Sequence, residues 1–306
     1  MDRYDFCLVT SNVYFEENVI PYGINDALTI QRADEQHINI FQSNMEGAKN
    51  DHQFHNFLDY GSPCFILNAD KDPIPAPTPR WWSVSFQDGL DHTEILNMAG
   101  ELIRPKMKFA MQGAIGNENN FYSSFHLRIK PHEADRICRE SWMPYRPQLV
   151  PTQSLVNFQL YFGKLESEDL IRETKHAMKL FLDSMSLDIS STLKTLSYFS
   201  VIECFITRHG PAIAPQILNN IKSIMERSET PPNTAQYFGA IEYKKLWDTL
   251  YDIRSRIAHG SVIKLKPFIK DLSNVNSFLE LVIIEIAKVA LIDPEFIRML
   301  REKTKY

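Results

Sequence analysis

Ser167-Glu168-Asp169-Leu170-Ile171-Arg172-Glu173-Thr174-Lys175-His176-Ala177-Met178-Lys179-Leu180-Phe181 is the stretch at which the chain changes its period. Leu170, Ile171, Thr174, Ala177, Met178 and Phe181 recur at spacings of three and four, the repeat that lines up one face of a helix. Before this stretch the pattern is different. Phe6 to Thr10, Leu28 to Arg32, His37 to Gln42, Cys64 to Leu67, Trp81 to Phe86, Lys106 to Ala114, Phe121 to Lys130 and Leu155 to Phe162 are short runs, many dominated by β-branched and aromatic residues. Turn-formers separate them, as in Asn68-Ala69-Asp70-Lys71-Asp72-Pro73 and Gly116-Asn117-Glu118-Asn119-Asn120. These runs predict strands. Pro73-Ile74-Pro75-Ala76-Pro77-Thr78-Pro79 excludes a helix and predicts an extended surface connection. Residues 131–140 open with Pro and acidic residues and predict one short helix.

Beyond the switch the helical period persists. Leu193, Leu196, Phe199, Ser200, Glu203 and Ile206 trace a second helix, with His209-Gly210-Pro211 as its stop. A third runs from Pro215 to about Arg227, followed by the polar loop Ser228-Glu229-Thr230-Pro231-Pro232-Asn233. A fourth spans Lys244 to His259, and a long one spans Leu272 to Leu291. Asp293 then caps a terminal helix that has Pro294 at its first position. The expected fold is α+β. A β-rich N-terminal domain, 1–167, forms a twisted antiparallel sheet or sandwich, and 168–306 form an α-helical bundle.

With 306 residues, 44% of them hydrophobic and 23% charged, the chain has the balance of a soluble globular protein. Cys7, Cys64, Cys138 and Cys204 lie far apart with no C-x-x-C pair, so neither a disulfide framework nor a zinc finger is expected. Leu279 to Ile292 is the longest apolar candidate for a membrane span, and Glu280, Glu285 and Lys288 break it. Met1-Asp2-Arg3-Tyr4-Asp5 lacks the basic and apolar regions of a signal peptide. A cytoplasmic location is expected, with no membrane partner. The net charge of −5 is unevenly spread. Residues 1–167 hold 14 Lys and Arg against 21 Asp and Glu, a balance of −7; residues 168–306 hold 19 against 17, a balance of +2. The halves are expected to meet different partners. No Gly-x-Ser-x-Gly, P-loop or Gly-x-Gly-x-x-Gly occurs. No nucleotide cofactor is expected.

The chemistry concentrates in Leu246-Trp247-Asp248-Thr249-Leu250-Tyr251-Asp252-Ile253-Arg254-Ser255-Arg256-Ile257-Ala258-His259-Gly260. Leu246, Leu250, Ile253 and Ile257 make one apolar row, and Trp247, Tyr251 and Ala258 make the row beside it. Arg254 falls in that second row, where a cation needs a partner or a wet cleft. His259 ends the helix, with Gly260 as its C-terminal cap. Arg256 precedes His259 by three residues, so it competes with Arg254 for the arginine role beside that histidine and is otherwise expected to contact phosphate. Glu203 interrupts an apolar row and either orients Arg254 by a charge-assisted bond or forms a structural ion pair with it. Lys264, Lys266 and Lys270 follow the motif, as RNA-phosphate contacts or as an ordinary solvated loop. Solvated surface and capping groups are the plainer account of Arg254 and His259. Asp51-His52-x-x-His55 and Asp91-His92-x-Glu94 are weak metal patterns without a fourth ligand. Trp81-Trp82 reads as core before it reads as a base-stacking platform.

Arg-x4-His followed by Gly, on a Leu-Trp…Leu-Tyr-x-Ile-Arg helix, resembles the active motif of the HEPN superfamily. Leu250 to Gly260 most resembles its ApeA-like branch. Leu196-Ser197-Tyr198-Phe199-Ser200-Val201-Ile202-Glu203-Cys204-Phe205 resembles that branch's apolar helix with an embedded glutamate. The resemblance covers about residues 170–300. It implies a metal-independent endoribonuclease, in defence against phage or in a toxin system, with tRNA as the substrate class of that branch. It implies Arg254 and His259 as the catalytic pair, with no cofactor and no metal. Ser255 stands where many active members carry Asn, Asp or His. The resemblance also implies a homodimer through the helical domain, so that two motifs face one cleft. A phage-derived or cellular activator is a further partner, and residues 1–167 would sense it or regulate the dimer. The alternative is a non-catalytic HEPN-type module that binds RNA or protein.

Overall fold

Leu28-Thr29-Ile30-Gln31-Arg32 buries Leu28 and Ile30 and leaves Thr29 and Gln31 half-exposed, the two-residue period of a strand with one face covered. In Phe6–Val9, by contrast, Phe6, Cys7 and Leu8 are all buried, so both faces of the sheet are covered at this strand. The computed structural model describes residues 5–9, 13–35, 37, 65–67, 73–75, 82–113, 148–208 and 213–303. Among these, the chain divides into two compact units, Met1–Gly163 and Lys164–Tyr306.

The first unit contains β1 (Phe6–Val9), β2 (Val13–Tyr14), β3 (Tyr22–Gly23), β4 (Leu28–Arg32), β5 (Phe65–Leu67), β6 (Pro73–Pro75), β7 (Trp82–Phe86), α1 (Thr93–Glu101), β8 (Phe109–Gly113) and β9 (Gln148–Leu149). Five strands form an antiparallel sheet in the order β3-β4-β7-β1-β8. Leu28 pairs with Phe86 and Ile30 with Val84, which stacks apolar side chains across strands on one face. Trp82 is buried and meets the Phe15 ring edge-on at 4.9 Å. The proline-rich connection contributes β6, which pairs antiparallel with β5. Proline's extended φ is compatible with such an edge.

Two helices are the largest departures from the sequence expectation, beside the short β2, β3 and β9. α1 was not expected. Asn97 holds it to β8, donating to the Phe109 carbonyl at 2.8 Å and accepting from the Phe109 N–H at 2.9 Å. Gly100 permits a close approach there, since a Cβ would fall 2.0 Å from the Met107 carbonyl oxygen. The predicted strand Leu155–Phe162 is corrected to a helix, α2 (Thr152–Glu166). The octet fits both periods. Leu155, Phe158 and Phe162 are fully buried at helical spacing, while Val156 and Leu160 face solvent. The Pro151 carbonyl accepts from the Leu155 N–H and opens the helical ladder. The strands predicted at 121–130 and over most of 37–42, the helix at 131–140, and the stop His209-Gly210-Pro211 lie outside the described residues, as do Asp51, His52, His55, Trp81, Cys64 and Cys138.

The second unit is a helical bundle: α3 (Arg172–Met185), α4 (Thr192–Ile206), α5 (Ile213–Met225), α6 (Thr234–Phe238), α7 (Tyr243–Ala258), α8 (Leu272–Ile292) and α9 (Pro294–Lys303). α4 packs against α3, α5, α7, α8 and α9. Its Tyr198, Phe199, Val201, Ile202, Phe205 and Ile206 are buried, so it is apolar nearly all round, as a central helix must be. Caps mark the ends. Ser191 Oγ accepts from Leu193 N, Asp271 Oδ1 accepts from Asn274 N at 2.8 Å, and Asp293 Oδ1 accepts from Phe296 N at 3.0 Å. Among the described residues no helix is long and apolar enough to cross a membrane.

Candidate functional site

α7 buries Leu246, Trp247, Leu250 and Ile253 and carries its charged residues around the rest of its circumference. Its C-terminal end closes in a Schellman turn. The Gly260 N–H donates to the Ile257 carbonyl at 3.1 Å, and the Ser261 N–H donates to the Arg256 carbonyl at 2.8 Å. Gly260 takes φ +65°, a conformation that L side chains rarely adopt. The expected glycine cap is therefore present. His259 sits at the cap position with φ −95° and ψ 7°. Its side chain is exposed and has no hydrogen bond, ion pair or ring contact among the described residues.

Arg254 points to the bundle. Its Nη2 lies 3.1 Å from Glu203 Oε1 and 3.2 Å from Glu203 Oε2, with the two side chains 24% and 17% exposed. The guanidinium also lies 5.7 Å from the Tyr251 ring centroid, and Tyr251 meets Phe199 edge-on. Glu203 is held by the last turn of α4, whose carbonyls are all satisfied by side chains. Thr207 Oγ1 donates to the Glu203 carbonyl at 2.7 Å. Arg301 Nη1 donates to the Cys204 and Phe205 carbonyls at 2.8 and 3.5 Å, and Asn220 Nδ2 donates to the Ile206 carbonyl at 2.7 Å. The Arg301 cation also favours this negative helix end.

The tertiary structure thus brings together Arg254 and Glu203. It does not bring Arg256 to them. Arg256 Nε meets Asp252 at 2.8 Å on the solvent face of α7, with both side chains exposed. Ser255 is half-buried. Lys264, Lys266 and Lys270 are exposed and form no ion pair among the described residues. Lys266 borders an open groove of about 510 Å³ along α7 with Lys244 and Lys245, and with Glu242, Asp248 and Asp252 opposing them in charge. Lys264 and Lys270 do not line that groove.

Sequence reasoning missed Tyr251 as the ring beside the guanidinium, and Arg301, Asn220 and Thr207 as the clamp on α4. The i,i+3 spacing of Tyr251 and Arg254 was a usable signal. Arg301, 97 residues from Cys204, had none. In the first unit, His92 Nε2 lies 2.8 Å from Asp88 Oδ2, and Asp91 accepts from Gln112. No group of three potential metal ligands converges among the described residues. Burial pushes the Cys7 and Cys204 thiols up, away from thiolate chemistry. No family model, curated protein or solved structure matches the chain.

Proposed function

We propose that the second unit is a HEPN-like, metal-independent endoribonuclease acting in the cytoplasm, in anti-phage defence or a toxin system, with tRNA as the substrate class. The observation that carries this reading is an exposed imidazole, His259, with no partner among the described residues, at the capped end of the helix that also presents the half-buried Arg254. RNA supplies its own nucleophile. A base removes the 2′-hydroxyl proton, the 2′-oxygen attacks phosphorus, the bond to the 5′-oxygen breaks, and an acid protonates that leaving oxygen. The products are a 2′,3′-cyclic phosphate and a 5′-hydroxyl. Imidazole suits both proton transfers. Guanidinium matches the crowded anionic phosphorane. One chain has one such histidine, so a two-fold dimer through the helical unit supplies a base and an acid in one cleft. Lys264, Lys266 and Lys270 are exposed cations available to flanking phosphates.

The test is purified protein incubated with tRNA and total RNA in EDTA. Cleavage that survives chelation, leaves cyclic phosphate ends and vanishes in His259→Ala supports the enzyme. A second reading, a non-catalytic RNA- or protein-binding module, is favoured by one observation: Glu203 already neutralises Arg254. Tight RNA binding without cleavage selects it.

The first unit, whose sequence balance of −7 disfavours RNA contact, is assigned sensing of an activator or control of the dimer. Deleting residues 1–165 is expected to raise cleavage if that unit restrains the site, and to abolish cleavage if it builds the dimer. Unchanged cleavage and substrate choice would remove both roles.

A further inference from the structure

The Arg254–Glu203 pair is an incomplete match. A guanidinium and a carboxylate at their best meet fork to fork, with two nitrogens bonding two oxygens at roughly 2.7–2.9 Å. Here one nitrogen, Nη2, faces both oxygens: it donates to Oε2 at 3.2 Å and lies 3.1 Å from Oε1 without a hydrogen bond to it. Arg256 to Asp252 at 2.8 Å and Lys288 to Glu285 at 2.7 Å are tighter, and Arg301 to Glu173 at 3.3 Å is looser. Arg254 Nε and Glu203 Oε1 are shielded from solvent, and neither has a hydrogen bond among the described residues. A shielded donor and acceptor left unmatched cost stability.

We propose that the Glu203 carboxylate is an internal stand-in for a phosphate, occupying the Arg254 guanidinium until an RNA phosphodiester displaces it. This rests on the ribonuclease reading and assigns the regulation of its site. A phosphodiester, like a carboxylate, offers two acceptor oxygens on one anionic centre. It accepts from Nε and an Nη nitrogen together, the fork that Glu203 leaves half-used. Both side chains keep a solvent-accessible part, and Nε becomes reachable once the guanidinium turns outward from Glu203. The Tyr251 ring, packed on Phe199, stays beside the guanidinium while its partner changes. The displaced carboxylate remains negative near the incoming phosphate. A small anion therefore competes poorly, and an RNA anchored by further contacts succeeds. The latch lowers occupancy of Arg254 by stray phosphates and raises the threshold for cutting.

The experiment reads anion binding, not cleavage. Phosphate- and pyrophosphate-dependent shifts in melting temperature are measured on the full chain as wild type, Glu203→Gln, Glu203→Asp, Arg254→Ala and the Glu203→Gln/Arg254→Ala double variant. Glu203→Asp keeps the charge but retracts it by one methylene, so a poorly folding Glu203→Gln does not stop the test. The expected result is roughly tenfold tighter phosphate binding in both Glu203 variants, and loss of that gain in the double variant. Binding no tighter than wild type, or a gain that persists without Arg254, overturns the latch. Wild-type cleavage of RNA with no such gain removes the latch alone. The gain without any cleavage keeps the latch and removes the ribonuclease.

Discussion

The two faces of α7 each carry an arginine–carboxylate pair, and they are held by different means. On the outer face Arg256 meets Asp252, one helical turn away, with both side chains in solvent. On the inner face Arg254 meets Glu203 on another helix, with both side chains mostly covered. The outer pair is a product of spacing alone. Water and salt screen it, so it contributes little. The inner pair exists because α4 packs on α7, and each charge there would be costly without the other. Location, not residue type, separates a solubilising arginine from a candidate catalytic one.

Four substitutions sharpen or break this comparison. His259→Ala has the largest expected effect, a fall in RNA cleavage of at least about 10²-fold if its imidazole transfers protons. Because His259 is exposed and has no partner among the described residues, the variant's melting temperature is expected to match wild type; a large drop would mean the residue is structural. Arg254→Ala strands the Glu203 carboxylate and is expected to cost about 1–3 kcal/mol in urea unfolding. Gly260→Ala puts a side chain at φ +65° with nothing within 4 Å of its Cβ, so only backbone strain counts, about 1–2 kcal/mol. Arg256→Ala removes a screened pair and is expected to stay within about 0.5 kcal/mol of wild type. Equal losses for the two arginine variants would erase the distinction between the faces.

The helical half was legible because amphipathic period and end signals agree. Asp293 before Pro294 marked α9, and Gly260 after His259 marked the end of α7; both caps are formed. The β-rich half was less legible. Leu155 to Phe162 satisfies alternation and helical spacing at once, and eight residues do not separate the two periods. Only the longer frame, from the Pro151 carbonyl to Leu165, commits it to a helix. α1 was not legible because its N-cap residue, His92, makes no side-chain cap hydrogen bond, so that position carries no start signal. Within the site, the polar interruption of an apolar helix by Glu203 suggested a partner for Arg254, and the fold supplies that contact. The competing claim of Arg256 rested on its angle toward His259, yet its i,i+4 neighbour Asp252 engages it first.

By itself the sequence determined the mixed α+β character, most of the helix register in the second half, the glycine-capped end of α7 and the presence of a charged pair of residues in apolar rows. These follow from local period and capping, which act within a few residues of chain. Only the tertiary structure decided which arginine turns inward, that its carboxylate partner is matched through a single nitrogen, and that Arg301, Asn220 and Thr207 together secure the turn carrying Glu203. Those contacts join residues far apart in the chain, and they arise when helices pack and strip water from groups that must then find one another.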